Sequence, residues 1–123
     1  MKIVQINKSI PNQSPEDNFG NKEFKRYIIP QENRDKKKFI SKRATQLLFR
    51  LIEGEGRACY ILGIEDDGTI RGLSEFERTQ TISNLQKMVK LVHAKIVTIR
   101  IYNKGVTTVR IILPRYKDED NFI

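Results

Sequence analysis

Residues 36–71, KKKFISKRATQLLFRLIEGEGRACYILGIEDDGTIR, change their apolar period once, and that change decides the fold. In the first half, Phe39, Ile40, Ala44, Leu47, Leu48, Leu51 and Ile52 recur at spacings of one, three and four. This is an apolar stripe of helical period. Gly54 ends the helix as a C-cap. The opposite face carries Lys37, Lys38, Lys42 and Arg50, with Lys36 and Arg43 nearby. The helix is therefore expected to bury one face and present one basic face. In the second half, residues 58–64, ACYILGI, form a continuous apolar run of strand length. Glu65-Asp66-Asp67-Gly68 is a turn signal, and Thr69-Ile70-Arg71 resumes extended chain. A hairpin with Asp-Gly at its tip is predicted.

Upstream, residues 23–29, EFKRYII, alternate and are rich in aromatic and β-branched types. They read as a strand stopped by Pro30. Downstream, Ser74 precedes Glu77 by three, a capping box that opens a second helix. Ile82, Leu85, Val89 and Val92 supply its buried stripe, with Phe76 and Met88 beside it. Residues 94–102 and 106–113 predict two more strands, joined at Asn103-Lys104-Gly105 and ended by Pro114. The order strand, helix, hairpin, helix, hairpin defines an α+β fold. It implies a mixed four- or five-stranded sheet with two helices on one face. The other sheet face and the loops are expected to stay free for a partner. Residues 23–114 form this domain. Residues 1–22, with Pro11, Pro15 and Gly20, read as a polar arm, and residues 115–123 as a charged tail.

With 123 residues, 38% hydrophobic and 31% charged, the chain reads as one folded domain rather than a disordered one. No apolar run approaches the ~18 residues of a membrane span. The start, MKIVQ, lacks the apolar stretch of a signal peptide. A lone cysteine, Cys59, cannot form an internal disulfide, so the cytoplasm is the default expectation. The net charge of +8 is uneven. Residues 21–57 carry eleven basic and five acidic side chains, net +6. A focused positive field suits a polyanion such as RNA, because each neutralised phosphate releases counterions.

Catalytic signals are sparse. His93 and Cys59 are far apart, and a structural zinc site needs four such ligands. At the end of the second helix, His93 reads as a C-terminal cation or a partly packed ring. No Gly-x-Ser-x-Gly elbow and no phosphate-binding Gly-x-x-x-x-Gly-Lys loop occurs. Glu65, Asp66 and Asp67, with Glu23, are candidates for a divalent metal from two strands. Turn chemistry alone explains Asp66-Asp67-Gly68. No metal, cofactor or small-molecule substrate is called for.

Glu23-Phe24-Lys25, then a helix, then Tyr60-Ile61-Leu62-Gly63-Ile64-Glu65-Asp66-Asp67-Gly68-Thr69-Ile70-Arg71-Gly72-Leu73 resembles the Schlafen AlbA-type domain. The pattern covers residues 23–113, and its second half is the specific part. This likeness implies an AlbA-like fold. Some Schlafen relatives are metal-dependent tRNA or rRNA endonucleases with three carboxylates. Glu23 matches the second of these, and Glu65 or Asp66 the third. Asn18 stands where the first is expected, with Glu16 or Asp17 as substitutes. The departure weakens catalysis and leaves RNA binding, so the resemblance implies a protein that is not an enzyme.

A narrower stretch, Leu51-Ile52-Glu53-Gly54-Glu55-Gly56-Arg57-Ala58-Cys59-Tyr60 followed by Gly63-Ile64-Glu65-Asp66-Asp67-Gly68, is similar to the segment ahead of the GTPase domain in eukaryotic GTP-binding proteins related to elongation factor 1-alpha. Leu73, Gln86-Lys87-Met88 and Ala94 continue it. Those proteins act in translation and RNA surveillance. The chain stops where their GTPase domain begins, which implies action by binding alone. Small dormancy factors of idle ribosomes in microsporidia are also similar to it. That likeness implies a ribosome partner, both rRNA and ribosomal proteins, and occupation of the tRNA exit-site region. On this reading Lys25, Arg26, Lys36, Lys37, Lys38, Lys42, Arg43 and Arg50 meet phosphates. Arg71, Lys104, Arg110, Arg115 and Lys117 add to them. Tyr27, Phe19 and Tyr116 are candidates to stack on a splayed base. The acidic tail residues Asp118, Glu119 and Asp120 are candidates to dock a basic protein.

Overall fold

The computed structural model describes residues 1–17 and 19–114. Their elements are β1 (Lys2–Gln5), β2 (Lys22–Lys25), α1 (Lys36–Glu53), β3 (Arg57–Leu62), α2 (Glu75–Leu91), β4 (Lys95–Ile101) and β5 (Thr107–Ile112). The strands form one mixed sheet in the order β1-β4-β5-β3-β2. Parallel neighbours β2 and β3 need a crossover, and α1 supplies it. β5 pairs antiparallel with both β3 and β4 at the centre. The expected α+β architecture is the one observed.

Strand alternation builds the main core. Ala58, Tyr60 and Leu62 of β3, Ile96 and Ile99 of β4, and Val109 and Ile111 of β5 face one way. Against them pack Ile40, Ala44, Leu47 and Leu51 of α1 and Leu85, Met88 and Val89 of α2. The Ser74–Glu77 capping box opens α2 as expected, with Glu77 N donating to Ser74 Oγ at 3.1 Å.

Several expectations fail for reasons that lie outside local sequence. β2 stops at Lys25, four residues short of the predicted strand end. Beyond it, α2 side chains take over the backbone: Ile28 N donates to Thr81 Oγ1, and Asn84 Nδ2 donates to the Ile28 carbonyl. The predicted hairpin at 58–71 reduces to an isolated bridge between Ile64 and Ile70. The fifth strand is β1 instead, from the segment read as an arm, pairing parallel with β4. The second sheet face is not wholly free. Ile10 packs there with Phe24, Ile61, Ile64 and Val106 in a smaller apolar cluster. Leu48, Ile52 and Phe76, assigned to or beside buried stripes, are exposed.

The N-terminal segment crosses the turn after β3 at very close range. Glu16 N donates to the Asp66 carbonyl at 2.7 Å. Gly68 has φ +91°, and a Cβ there would sit 2.4 Å from the Gln13 carbonyl oxygen. Only glycine suits both that backbone and that approach.

Candidate nucleic-acid interface

The first turn of α1 is electrostatically unusual. Asp35 caps it, accepting from Lys37 N at 3.0 Å and Lys38 N at 3.2 Å. Lys36, Lys37 and Lys38 follow, with no acidic residue in that turn. Cations at the positive pole of a helix cost about 0.3–1 kcal/mol each at exposed positions. A local feature that opposes stability points to function. All three lysines and Lys42 are exposed, and none has an ion-pair partner among the described residues.

Two clefts flank this turn. One, of about 770 Å³, lies between the start of α1 and the end of α2. Lys36, Lys37, Lys87 and Lys90 line it, and among the described residues no acidic side chain does. Its lining surface is chiefly apolar, from Ile40, Leu91 and the lysine stems. The other, of about 370 Å³, is bordered by Arg34, Lys38, Phe39, Lys42 and Arg43 and by one acid, the N-cap Asp35. Arg43 lies over the Phe39 ring, 5.1 Å from its centre, a cation–π contact.

The remaining predicted phosphate contacts divide sharply. Arg50 is a correction: it is buried, not part of the basic face. Its Nε donates to Glu23 Oε1 at 3.2 Å, and its other nitrogens donate to the carbonyls of Gly20 and Asp17. Arg26 donates to the Gly72 carbonyl at 2.6 Å and pairs with Glu77, so it acts as an internal strut. Lys25 lies 3.9 Å from Glu23. Arg71 is exposed beside Glu65. Lys104 and Arg110 are exposed. Arg115, Lys117 and Tyr116, and the acidic residues 118–120, lie outside the described residues. Phe19 and Tyr27 are exposed, as base stacking requires.

A second basic surface joins Arg110, one of the predicted contacts, to Lys2, Lys22 and Arg100, which sequence reading did not single out. Across the sheet face opposite the helices, Lys2 pairs with Thr98, Thr98 with Arg110, Arg110 with Cys59, and Cys59 with Lys22. One register row thus gathers Lys2, Arg110 and Lys22, and Arg100 is close enough to act on the Cys59 thiol. Burial pushes that thiol up despite these cations. Only strand register brings residues so far apart in sequence together.

The carboxylates form a separate group. Glu16 Oε2 accepts from the Phe24 amide. Burial first, then the hydrogen bond that protonated Glu16 donates to the Glu23 carboxylate, pushes Glu16 up to about 7. Arg50 reaches both acids, at 3.2 Å from Glu23 and 3.7 Å from Glu16. The substitute carboxylate expected at Glu16 is therefore beside Glu23. The Arg50 guanidinium thus offsets charge at the pair of carboxylates. Asp66 contributes repulsion to Glu16 from the adjoining turn. Asn18 lies outside the described residues. Among those residues no group of three histidine, cysteine, aspartate or glutamate side chains is placed to hold a metal ion.

The class this defines is a small α+β domain with a basic surface on each side of its sheet. No family model matches the chain, so none supports the Schlafen likeness. It is similar to part of GTP-binding protein 2 of mouse and human, at 36% identity over 91 residues. The match takes in 73% of this chain and 14% of those proteins. This agrees with the likeness to a segment of GTP-binding proteins. The chain is also 32% identical over 111 residues to uncharacterized protein R625 of Acanthamoeba polyphaga mimivirus, spanning 87% of this chain and 58% of that protein. No helix among the described residues is long and apolar enough to cross a membrane.

Proposed function

We propose that the protein binds the ribosome as a dormancy factor in the cytoplasm. On this reading it contacts rRNA and ribosomal proteins, blocks the tRNA exit-site region and inhibits translation without catalysis. The observation that carries the reading is the lysine turn at the start of α1, without an ion-pair partner among the described residues and kept against the helix dipole. The similarity to part of GTP-binding protein 2 supports a setting in translation. The opposite sheet face, with Lys2, Lys22 and Arg110, supports contact with a second RNA segment.

Pelleting of the purified protein with purified ribosomes across a salt series tests this. Binding is expected to weaken steeply with salt, as phosphate contacts require. The triple variant Lys37→Glu, Lys38→Glu, Lys42→Glu is expected to bind more weakly with a shallower salt slope. Unchanged pelleting of that variant would sink the claim.

A metal-dependent RNA endonuclease is the second reading, and the contact between Glu16 and Glu23 favours it. Against it stands Arg50, which neutralises the pair internally. Incubating the protein with tRNA and rRNA in magnesium or manganese discriminates the two. Absence of cleavage with either metal removes the nuclease.

A further inference from the structure

We infer that the cleft between the first turn of α1 and the last turn of α2 is a pocket for one unstacked nucleotide of single-stranded RNA. The inference rests on the RNA-binding reading above and names what this site takes. Lys36, Lys37, Lys87 and Lys90 meet the phosphates on either side of the nucleotide, and its base lies against Leu91 and Ile40.

Three observations lead there. First, the cleft joins two chemistries that phosphate binding alone does not need. Bare backbone is held by a flat basic surface, whereas this cleft is chiefly apolar inside and carries four lysines. Its volume of about 770 Å³ falls within the usual range for ligand pockets, roughly 300–1,000 Å³. Second, Leu91 is 56% exposed at the end of a helix whose other apolar residues mostly pack inward. A large apolar side chain left open among lysines suits a flat, weakly polar face carrying charge at its edges. A base between two phosphates has that character. Third, the cations continue round α1 into the neighbouring cleft, through Lys38, Lys42 and Arg43. That run follows a charged polymer rather than a single anion. The Arg43–Phe39 stack offers a planar surface for an adjoining base. Sequence-tolerant recognition of single strands uses this combination of basic groove and stacking surface.

The test uses a short single-stranded RNA carrying 2-aminopurine and the fully paired duplex of the same sequence. Both are titrated against the whole chain at fixed salt. The wild type is expected to favour the single strand by about tenfold and to brighten the 2-aminopurine on binding. Leu91→Ala removes the apolar wall, and Ser41→Leu fills the cleft from an exposed position. Each keeps the charge and is expected to erase the single-strand preference while leaving duplex binding unchanged. The pair Lys87→Glu, Lys90→Glu is expected to weaken both RNAs. Equal affinity of the wild type for the two RNAs, or a preference that survives both apolar variants, overturns the pocket and leaves general RNA binding intact. A glutamate-rich peptide that binds more tightly than RNA and is lost in the lysine variants assigns the cleft to an acidic protein segment, which also overturns it. Failure of either RNA to bind overturns the RNA reading itself.

Discussion

Arg50 Nε lies 3.2 Å from Glu23 Oε1, and the side chains are only 4% and 2% exposed. The same guanidinium holds the carbonyls of Asp17 and Gly20. A helix, an edge strand and the N-terminal segment are thus joined through one buried cation. Removing one partner of such a pair strands the other charge in the interior, at about 3–5 kcal/mol. Arg50→Met is expected to lower stability by that order in urea denaturation. Ribosome affinity of the folded fraction should stay unchanged, because Arg50 does not reach solvent. A loss of affinity at unchanged stability would return Arg50 to the basic face.

Glu16 supplies a pH dependence. Its carboxyl is raised to about 7 in the native state, against an ordinary value of 4.5. Native protein therefore holds this proton more tightly than unfolded chain does. The resulting stabilisation is fully present below about 4.5 and is lost as pH rises through about 7. Glu23, Arg50 and Asp66 are the charged groups facing it. Urea midpoints should fall across this window in the wild type. Glu16→Gln should flatten that fall, and an unchanged profile in the variant would refute the assignment.

The lysine turn predicts opposed effects on stability and binding. Lys36→Glu and Lys37→Glu replace cations with anions at the positive end of α1. Each should stabilise the protein by about 0.3–1 kcal/mol, since the dipole favours acids there. Each should also weaken ribosome binding. Thermal melts and ribosome pelleting of the same variants check both signs. Weaker binding together with lower stability would mean that the lysines serve the fold.

At Gly68 the backbone is left-handed and the Gln13 carbonyl leaves no room for a Cβ. Gly68→Ala should cost more than about 1 kcal/mol through both effects. It should also expose the N-terminal segment to protease. A neutral substitution would show that this segment does not rest on the turn.

Much of this architecture could be read from local pattern. Leu47 and Leu51 announce α1, and Ser74 with Glu77 announces the start of α2, because both signals are complete within one or two helical turns. β1 could not be read. Its partner residues, Thr98 to Ile101, lie far along the chain, and four residues at an exposed edge carry little apolar signal. Arg50 was placed on the wrong side for a related reason. Helical spacing alone does not say that a buried acid 27 residues earlier awaits it. Lysines of the α1 turn were visible as a charge run, but the contribution of Lys87 and Lys90 needed the packing of α2 beside α1. The row of Lys2, Arg110 and Lys22 needed strand register.

Ribosome binding is tested most directly by sedimenting the native protein from cell extract through a sucrose gradient at low and high salt. Co-migration with idle ribosomes but not with polysomes, released by high salt, is the result expected. Migration at the top of the gradient under both conditions would contradict a ribosome-bound role.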